Sequence, residues 1–391
     1  MSYEKIKRLF YTFAFFDDFL LIYPLYAILF SEKGLNPAQI SSLFIAWSVT
    51  GFLLEVPSGS AADKYPRRTV LLFAIAVRTL AFTAWLVEPT YSGFLTGFIL
   101  WGISGAFVSG TEEALVYDEL TRVKKTSQYS KVTGRMESLR IVAFILASFL
   151  ASLLANRGYS IILILSSASV TLSAAPIYLL PKTKAVESTD ETKYFTYVKT
   201  GIKLVLKNSR LLFIIGFASI IVGLGAADEY FNLLFDEKGF SNSRIAILVG
   251  VVSLFGALGT AFAHKLENKK VPVFGVLLVA ASLLLTSTLV PAGLVPIILG
   301  LYLALTYIVG VLFNTYLQQE ATDANRATMT SVQSLAIEFF VIITYCLFAI
   351  ASQFESYNFS FQVLAIILFV IAIVYAIVSR VSKTWNNLRI T

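Results

Sequence analysis

LFSEKG at Leu29–Gly34 returns as LFDEKG at Leu234–Gly239, 205 residues further on. The correspondence continues past both copies: Ile40 matches Ile245, Leu43 matches Leu248, Ser48 matches Ser253, Gly51 matches Gly256 and Leu53 matches Leu258. Each copy closes one long apolar stretch and precedes the next. A repeat at that spacing divides a chain of 391 residues into two similar halves.

Composition says what the halves are made of. The chain is 57% hydrophobic and 14% charged, with a mean hydropathy of +0.75, against roughly 25% charged residues in a soluble domain. So apolar a chain is not disordered. One cysteine, Cys346, cannot form an internal disulfide, and the net charge of +7 is not gathered into a nucleic-acid-binding domain. The expected class is an all-α integral membrane protein.

A bilayer core of about 30 Å takes roughly 20 apolar residues at about 1.5 Å each. That ruler marks twelve spans, near 9–30, 38–60, 70–88, 93–116, 137–155, 159–180, 211–234, 243–263, 271–289, 293–317, 328–350 and 360–380. Met1–Arg8 runs straight into a full-length span, so no cleavable leader is expected. With the N-terminus inside, 25 Lys and Arg residues fall in cytoplasmic segments and four (Lys33, Arg157, Lys238, Arg244) outside, leaving Arg78 and Arg140 in helices. Basic residues accumulate on the cytoplasmic side, so both termini are expected there, in the cell membrane.

Six spans per half make the repeats parallel, related by an axis along the membrane normal. The expected organisation is an N-terminal six-helix bundle at 1–181, a cytoplasmic linker at 182–210 and a C-terminal six-helix bundle at 211–391. Within the linker, Tyr194–Leu206 interleaves lysines with Phe195, Val198 and Ile202, as expected for an amphipathic segment on an anionic leaflet.

Between the second and third spans the chain reads Gly59-Ser-Ala-Ala-Asp63-Lys64-Tyr-Pro66-Arg67-Arg68. This resembles the loop signature of the major facilitator superfamily, with Pro66 where the family usually has glycine. The twelve-span plan, the two halves and the long central segment extend the resemblance to the whole chain. It implies two pseudo-symmetric six-helix bundles and a cytoplasmic gate: Gly59, Asp63, Lys64, Arg67 and Arg68, with Asp118 and Glu119 at the end of the fourth span as acidic partners. Asp63 lies near the positive N-terminal end of the third helix. The plainer alternative for Lys64, Arg67 and Arg68 is simple positive-inside charge. The second-half counterpart, His264 to Lys270, is degenerate, and His264 reads as a solvated loop residue.

Ionisable groups inside spans cost about 2.5–3.5 kcal/mol on insertion scales and so need a reason. The ionisable groups in the spans are Asp17, Asp18, Glu55, Glu112, Glu113, Asp228, Glu229 and Glu338 against Arg78, while Glu137 and Arg140 sit near a cytoplasmic end. Counted along ideal helices, Asp17, Asp18, Arg78 and Glu338 lie about 12–16 Å deep, where transporter sites occur. One of the two aspartates is expected to pair with Arg78 while the other faces a cavity; a purely structural pair is the alternative. Glu338 is expected to contact substrate or carry protons. Phe15, Phe16, Tyr23, Tyr26, Tyr230 and Phe231 lie near these acids and suit organic cations. Pro24 in the first span, and Gly223 and Gly225 in the seventh, are expected to loosen corresponding helices.

The expectation is therefore secondary transport by alternating access. The resemblance, which is to prokaryotic drug/proton antiporters, favours proton-coupled efflux of a cationic or amphipathic organic solute by a monomer. Two departures count against efflux: the fifth span lacks a glycine-proline cluster, and Phe98 stands where many proton-coupled members carry arginine. Proton-coupled import of a small polar nutrient and a lipid or lysolipid flippase remain alternatives. A single histidine leaves neither a His-based metal site nor a Ser–His pair, so an enzyme is not expected. No GxxxxGK[ST] loop is present for ATP drive; no cofactor and no nucleic-acid partner are expected, and a proton gradient is the expected driving force.

Overall fold

The computed structural model describes residues 1–181, 201–266, 271–320, 326–354 and 356–381. Every regular element among them is helical. The first span is broken: α1 (Tyr3–Asp18) stops, the chain turns through Pro24, and α2 (Tyr26–Glu32) resumes. Then come α3 (Pro37–Lys64) and α4 (Arg67–Val87). The fourth span, expected to be continuous, is also interrupted, with α5 (Tyr91–Val108) and α6 (Thr111–Arg122) separated at Gly110, whose φ is +70°. The half ends with α7 (Tyr129–Leu154) and α8 (Tyr159–Tyr178).

In the second half α9 (Ser209–Gly225) passes through a 3-10 turn at Ala226–Tyr230 into α10 (Phe231–Glu237). There follow α11 (Asn242–Ala263), α12 (Val273–Leu289), α13 (Val295–Glu320), α14 (Arg326–Phe354) and α15 (Tyr357–Val381). Ten helical stretches are long and apolar enough to cross a membrane, and Val273–Leu289 is a shorter apolar one. With the broken first span they make up the all-α, twelve-span plan. The stretch read as Tyr194–Leu206 lies largely outside the described residues, as does 267–270 of the degenerate second-half loop.

The repeated hexapeptide turns out to be a helix stop. Lys33 and Lys238 close the last turns of α2 and α10 with identical N–H···O distances of 3.0 Å to Leu29 and Leu234. Gly34 and Gly239 follow in left-handed conformation, φ +86° and +83°. The Leu35 N–H then reaches back to the Phe30 carbonyl, and the Phe240 N–H to the Phe235 carbonyl, both at 3.1 Å. This is the Schellman arrangement, which satisfies orphan carbonyls and needs a residue without a Cβ penalty. Pro37 then opens α3 behind a capping box from Asn36 and Gln39.

One expectation is corrected here. Gly59 to Lys64 is not loop: α3 continues through Lys64, and only Tyr65 and Pro66 separate it from α4. Ala61 and Ala62 favour helix, and Pro66 disfavours it only from the residue before itself. Gly59 has open space where a Cβ would stand, so close packing does not require it.

By contacts the chain forms two compact units, Met1–Glu191 with Ser241–Gly250, and Thr192–Phe240 with Val251–Thr391. In the first, α1 packs on α7 and α8, α4 on α5 and α8, and α5 on α3. In the second, α9 packs on α13 and α14, and α12 on α13 and α15. Three pairings thus recur in both halves: first with fifth span, third with fourth, third with sixth. Within the first unit, Asn242 Nδ2 donates to Glu32 Oε1 at 2.7 Å and to the Tyr159 hydroxyl at 3.0 Å.

The first unit's core is aromatic. Tyr26, Phe30, Phe44, Trp85, Phe94, Phe98 and Trp101 are buried against one another, with Phe98 stacked on Trp101 at 6.0 Å and 4.9 Å from Trp85. A Cβ at Gly97 would fall 2.0 Å from Trp85 Nε1, so α5 can approach α4 only through that glycine.

Candidate functional site

Asp17 and Asp18 are the last two residues of α1. Helix C-termini repel negative charge and leave carbonyls unpaired, so two carboxylates there need cations from other helices. Arg78 on α4 supplies one. Its Nη1 lies 3.0 Å from Asp17 Oδ1 and also donates to the Asp17 backbone carbonyl at 3.2 Å, neutralising the acid and capping the broken helix together.

The second cation is Arg140 on α7, which was expected near a helix end and is the hub instead. Its Nη1 reaches Asp18 Oδ2 at 2.7 Å and Asp17 Oδ2 at 3.3 Å. Its Nη2 reaches Glu112 Oε1 at 2.5 Å and Oε2 at 2.7 Å, and its Nε lies 3.5 Å from Glu137 Oε1. The guanidinium also stands over the Phe13 ring at 5.8 Å. The two aspartates therefore divide their cations. Asp17, 3% exposed, is held by both arginines, and Asp18, 36% exposed, is ion-paired with Arg140.

Glu112 arrives there because α6 restarts at Thr111, putting Glu112 and Glu113 in its first turn, where the helix dipole favours acids. Glu112 turns to Arg140, and Glu113 is exposed. Both line a cavity of about 590 Å³ with Tyr129, Thr133, Met136 and Glu137. Four carboxylates (Asp17, Asp18, Glu112, Glu137) face two guanidiniums (Arg78, Arg140), so the cluster carries two surplus negative charges when all are ionised.

The second half is built differently. Asp228 and Glu229 lie in the 3-10 turn between α9 and α10. The Asp228 carboxylate accepts the backbone N–H groups of Asp228 and Glu229, and among the described residues no Lys or Arg comes within ion-pair distance of it. Its charge reaches the phenols of Tyr302 and Tyr307 on α13 and Tyr345 on α14, and that of Glu338, half-buried on α14, also reaches Tyr345. Thr344 Oγ1 donates to the Gly223 carbonyl at 3.0 Å, supporting the backbone at this break.

Of the six aromatics expected beside the acids, Phe15, Phe16 and Tyr23 are half-buried and the other three are core. Tyr26, Tyr230 and Phe231 are buried, with Tyr230 stacked on Phe348 at 4.1 Å. Tyr302, Tyr307 and Tyr345 were missed, because tyrosines on the fourth and fifth spans of the half are far in sequence from the acids whose charge reaches them. Phe98 is likewise sealed in the aromatic core.

Where α3 meets α4, Arg67 pairs with Asp118 of α6 and donates to the Ala114 carbonyl at 3.3 Å. Arg68 takes a different partner, donating to the Leu180 carbonyl at 2.6 Å beneath the Tyr178 ring. Glu119 is fully buried and pairs with Arg122 at 2.6 Å, not with either of these arginines. Lys64 is exposed. The side chain of Asp63 lies outside the described residues.

A model of the Major Facilitator Superfamily matches residues 9–344. The chain belongs to this superfamily. As a facilitator it is similar to the uncharacterized MFS-type transporter YxaM of Bacillus subtilis (strain 168), 20% identical over 381 residues, covering 94% of this chain and 93% of that one. Among solved facilitators, a mutant of the nucleoside transporter NupG superposes with a TM-score of 0.77 at 14% identity, over 97% of this chain and 98% of that one. A D-xylose–proton symporter gives 0.73 at 15%, over 95% and 97%. A bacterial homologue of the human lysosomal transporter Spinster gives 0.74 at 13%, over 97% and 98%. At those identities the likeness is one of fold. This facilitator is a multi-pass membrane protein and a secondary transporter of small molecules.

Proposed function

We propose that the protein couples proton movement to the export of a cationic or amphipathic organic solute by alternating access. The observation that carries this reading is the uncompensated acid in each half. The first half sets four carboxylates against two guanidiniums, and the second presents Asp228, whose charge is felt by three tyrosines, with no cation in ion-pair reach among the described residues. A carboxylate whose charge is felt by several phenols suits an organic cation through charge and cation–π attraction. Asp18, the more exposed of the two aspartates held by Arg140, is suited to exchange a proton, since losing it or gaining it changes which carboxylates Arg140 must balance.

In this reading Arg67 and Asp118 hold the cytoplasmic gate, assisted by Gly59, Asp63, Lys64 and Arg68; Glu119 acts through Arg122. The protein works as a monomer in the cell membrane with both termini inside, which the asymmetry of its basic residues supports. A second reading, proton-coupled uptake of a small polar nutrient, is favoured by the phenylalanine at position 98 and by the shared fold with a D-xylose–proton symporter.

Reconstituted protein in vesicles under an imposed pH gradient tests this. Tetraphenylphosphonium or a similar cation should move against the proton flow and stop when a protonophore is added. Movement of a nucleoside or sugar with the protons, and none of any cation, would establish the second reading, and movement of labelled lysolipid alone would make the protein a flippase.

A further inference from the structure

The break between α1 and α2 leaves backbone groups unpaired at the depth where Asp17 and Asp18 stand, and unpaired groups inside a membrane protein must be satisfied by neighbouring helices. Two serines of α8 do this. Ser169 Oγ donates to the Phe16 carbonyl at 2.7 Å, one residue before Asp17. Ser166 Oγ accepts the Ile22 N–H at 3.0 Å on the far side of the break and donates its own O–H to the Ile162 carbonyl at 2.8 Å. Ser166 is fully buried and Ser169 4% exposed. Together with Arg78 on the Asp17 carbonyl, they pin the chain on both sides of the acid pair.

We propose that Ser166 and Ser169 are positioning residues for transport: they fix the backbone of the broken first span so that Asp17 meets Arg78 and Asp18 meets Arg140. This rests on the proton-coupled reading above. Neither serine touches a carboxylate, and α8 contributes hydroxyls, not charge, to this region. The charged groups facing the acids come from the other packed helices: Arg78 from α4, Glu112 from α6, and Glu137 and Arg140 from α7. Removing one hydroxyl orphans a buried carbonyl or N–H group, and the backbone then relaxes where a displacement of a few tenths of an ångström changes how two acids share Arg140.

The test uses the full chain with Ser166→Ala, Ser169→Ala and the threonine variants of each, which keep a hydroxyl. Two readouts are taken: the pH profile and KM of transport in vesicles, and the infrared titration of Asp18 in purified protein, assigned by difference from Asp18→Asn. The alanine variants should displace the Asp18 midpoint by about one pH unit or more and cut turnover with KM little changed, and threonine should restore both. Well-assembled alanine variants with the wild-type Asp18 midpoint, or with lowered melting as their sole change, would overturn the assignment. Should an alanine variant fail to assemble, Ser169→Cys, a near-isostere with a weak donor, should show the same displacement, and an unaltered midpoint in it counts against the proposal. Wild-type transport indifferent to pH would remove the coupling reading instead, and the infrared comparison would still decide the positioning role.

Discussion

One nitrogen of Arg140, Nη2, lies 2.5 Å from Oε1 and 2.7 Å from Oε2 of Glu112. Two oxygens of one acid converge on it while Nη1 serves Asp18, so the residue joins the first, fourth and fifth spans of its half. Arg140→Ala should destabilise the protein by about 3–5 kcal/mol, the cost of stripping a buried charge of its partner. Thermal unfolding in detergent reads this. Arg140→Lys should restore little, because an ammonium lacks the planar fork that serves two acids at once, whereas adding Glu112→Gln to Arg140→Ala should recover part of the loss.

Arg67 and Asp118 offer a cleaner test of the proposed gate, since both are partly exposed. Arg67→Asp and Asp118→Arg should each slow turnover while leaving substrate affinity nearly intact. The double swap should recover turnover if the pair itself matters. Turnover in the double variant no better than in the singles would assign the effect to other partners.

Gly34 and Gly239 should be interchangeable in their sensitivity. Each sits at positive φ with open space around its missing Cβ, so alanine costs only backbone strain, about 1–2 kcal/mol. The two single variants should lower the melting temperature by similar amounts, and asparagine, which tolerates the left-handed region, should cost less at both positions.

Asp228→Asn should abolish binding of organic cations but spare a neutral solute if one is carried. Isothermal titration with tetraphenylphosphonium measures this directly. Retained cation affinity would shift recognition to the first half's acids.

Glu88 lies between α4 and α5, outside the spans, and Ser92 and Thr90 donate to its Oε1 at 2.6 and 3.1 Å. These hydrogen bonds hold its carboxyl below the ordinary value of 4.5. A lowered pKa in the folded state stabilises the loop above the unfolded value, and that contribution disappears as pH falls through the folded one. Ser92→Ala should raise the Glu88 pKa towards 4.5, followed by carbon-13 titration of the glutamate carboxyl.

Much of the fold was legible in the residues because a bilayer imposes a simple length rule. The twelve stretches, the two halves and the loosening at Pro24 and at Gly223–Gly225 all follow from local composition. The interruption at Gly110 was not legible, since the apolar run from Tyr91 to Val108 keeps the mean hydropathy of the whole stretch high although Thr111, Glu112 and Glu113 follow the glycine. Arg140 was misplaced for a related reason: the start of the fifth span was drawn where hydropathy rises, whereas α7 begins at Tyr129 and carries its polar residues inward. The gate segment was read as loop because its charges look solvated, although alanines continue the helix to Lys64.

The sequence by itself determined the membrane class, the number and spacing of the spans, and the repeated stop at Gly34 and Gly239, because each depends on a few consecutive residues. The tertiary structure alone decided which charges meet. Whether Asp17 or Asp18 faces Arg78, whether Arg68 finds an acid or the Leu180 carbonyl, and which tyrosines feel the charge of Asp228 depend on the rotation of each helix about its own axis and on the serines that hold the broken one. Those angles are set by packing between spans far apart in the chain, where a turn of about 100° per residue exchanges one partner for another.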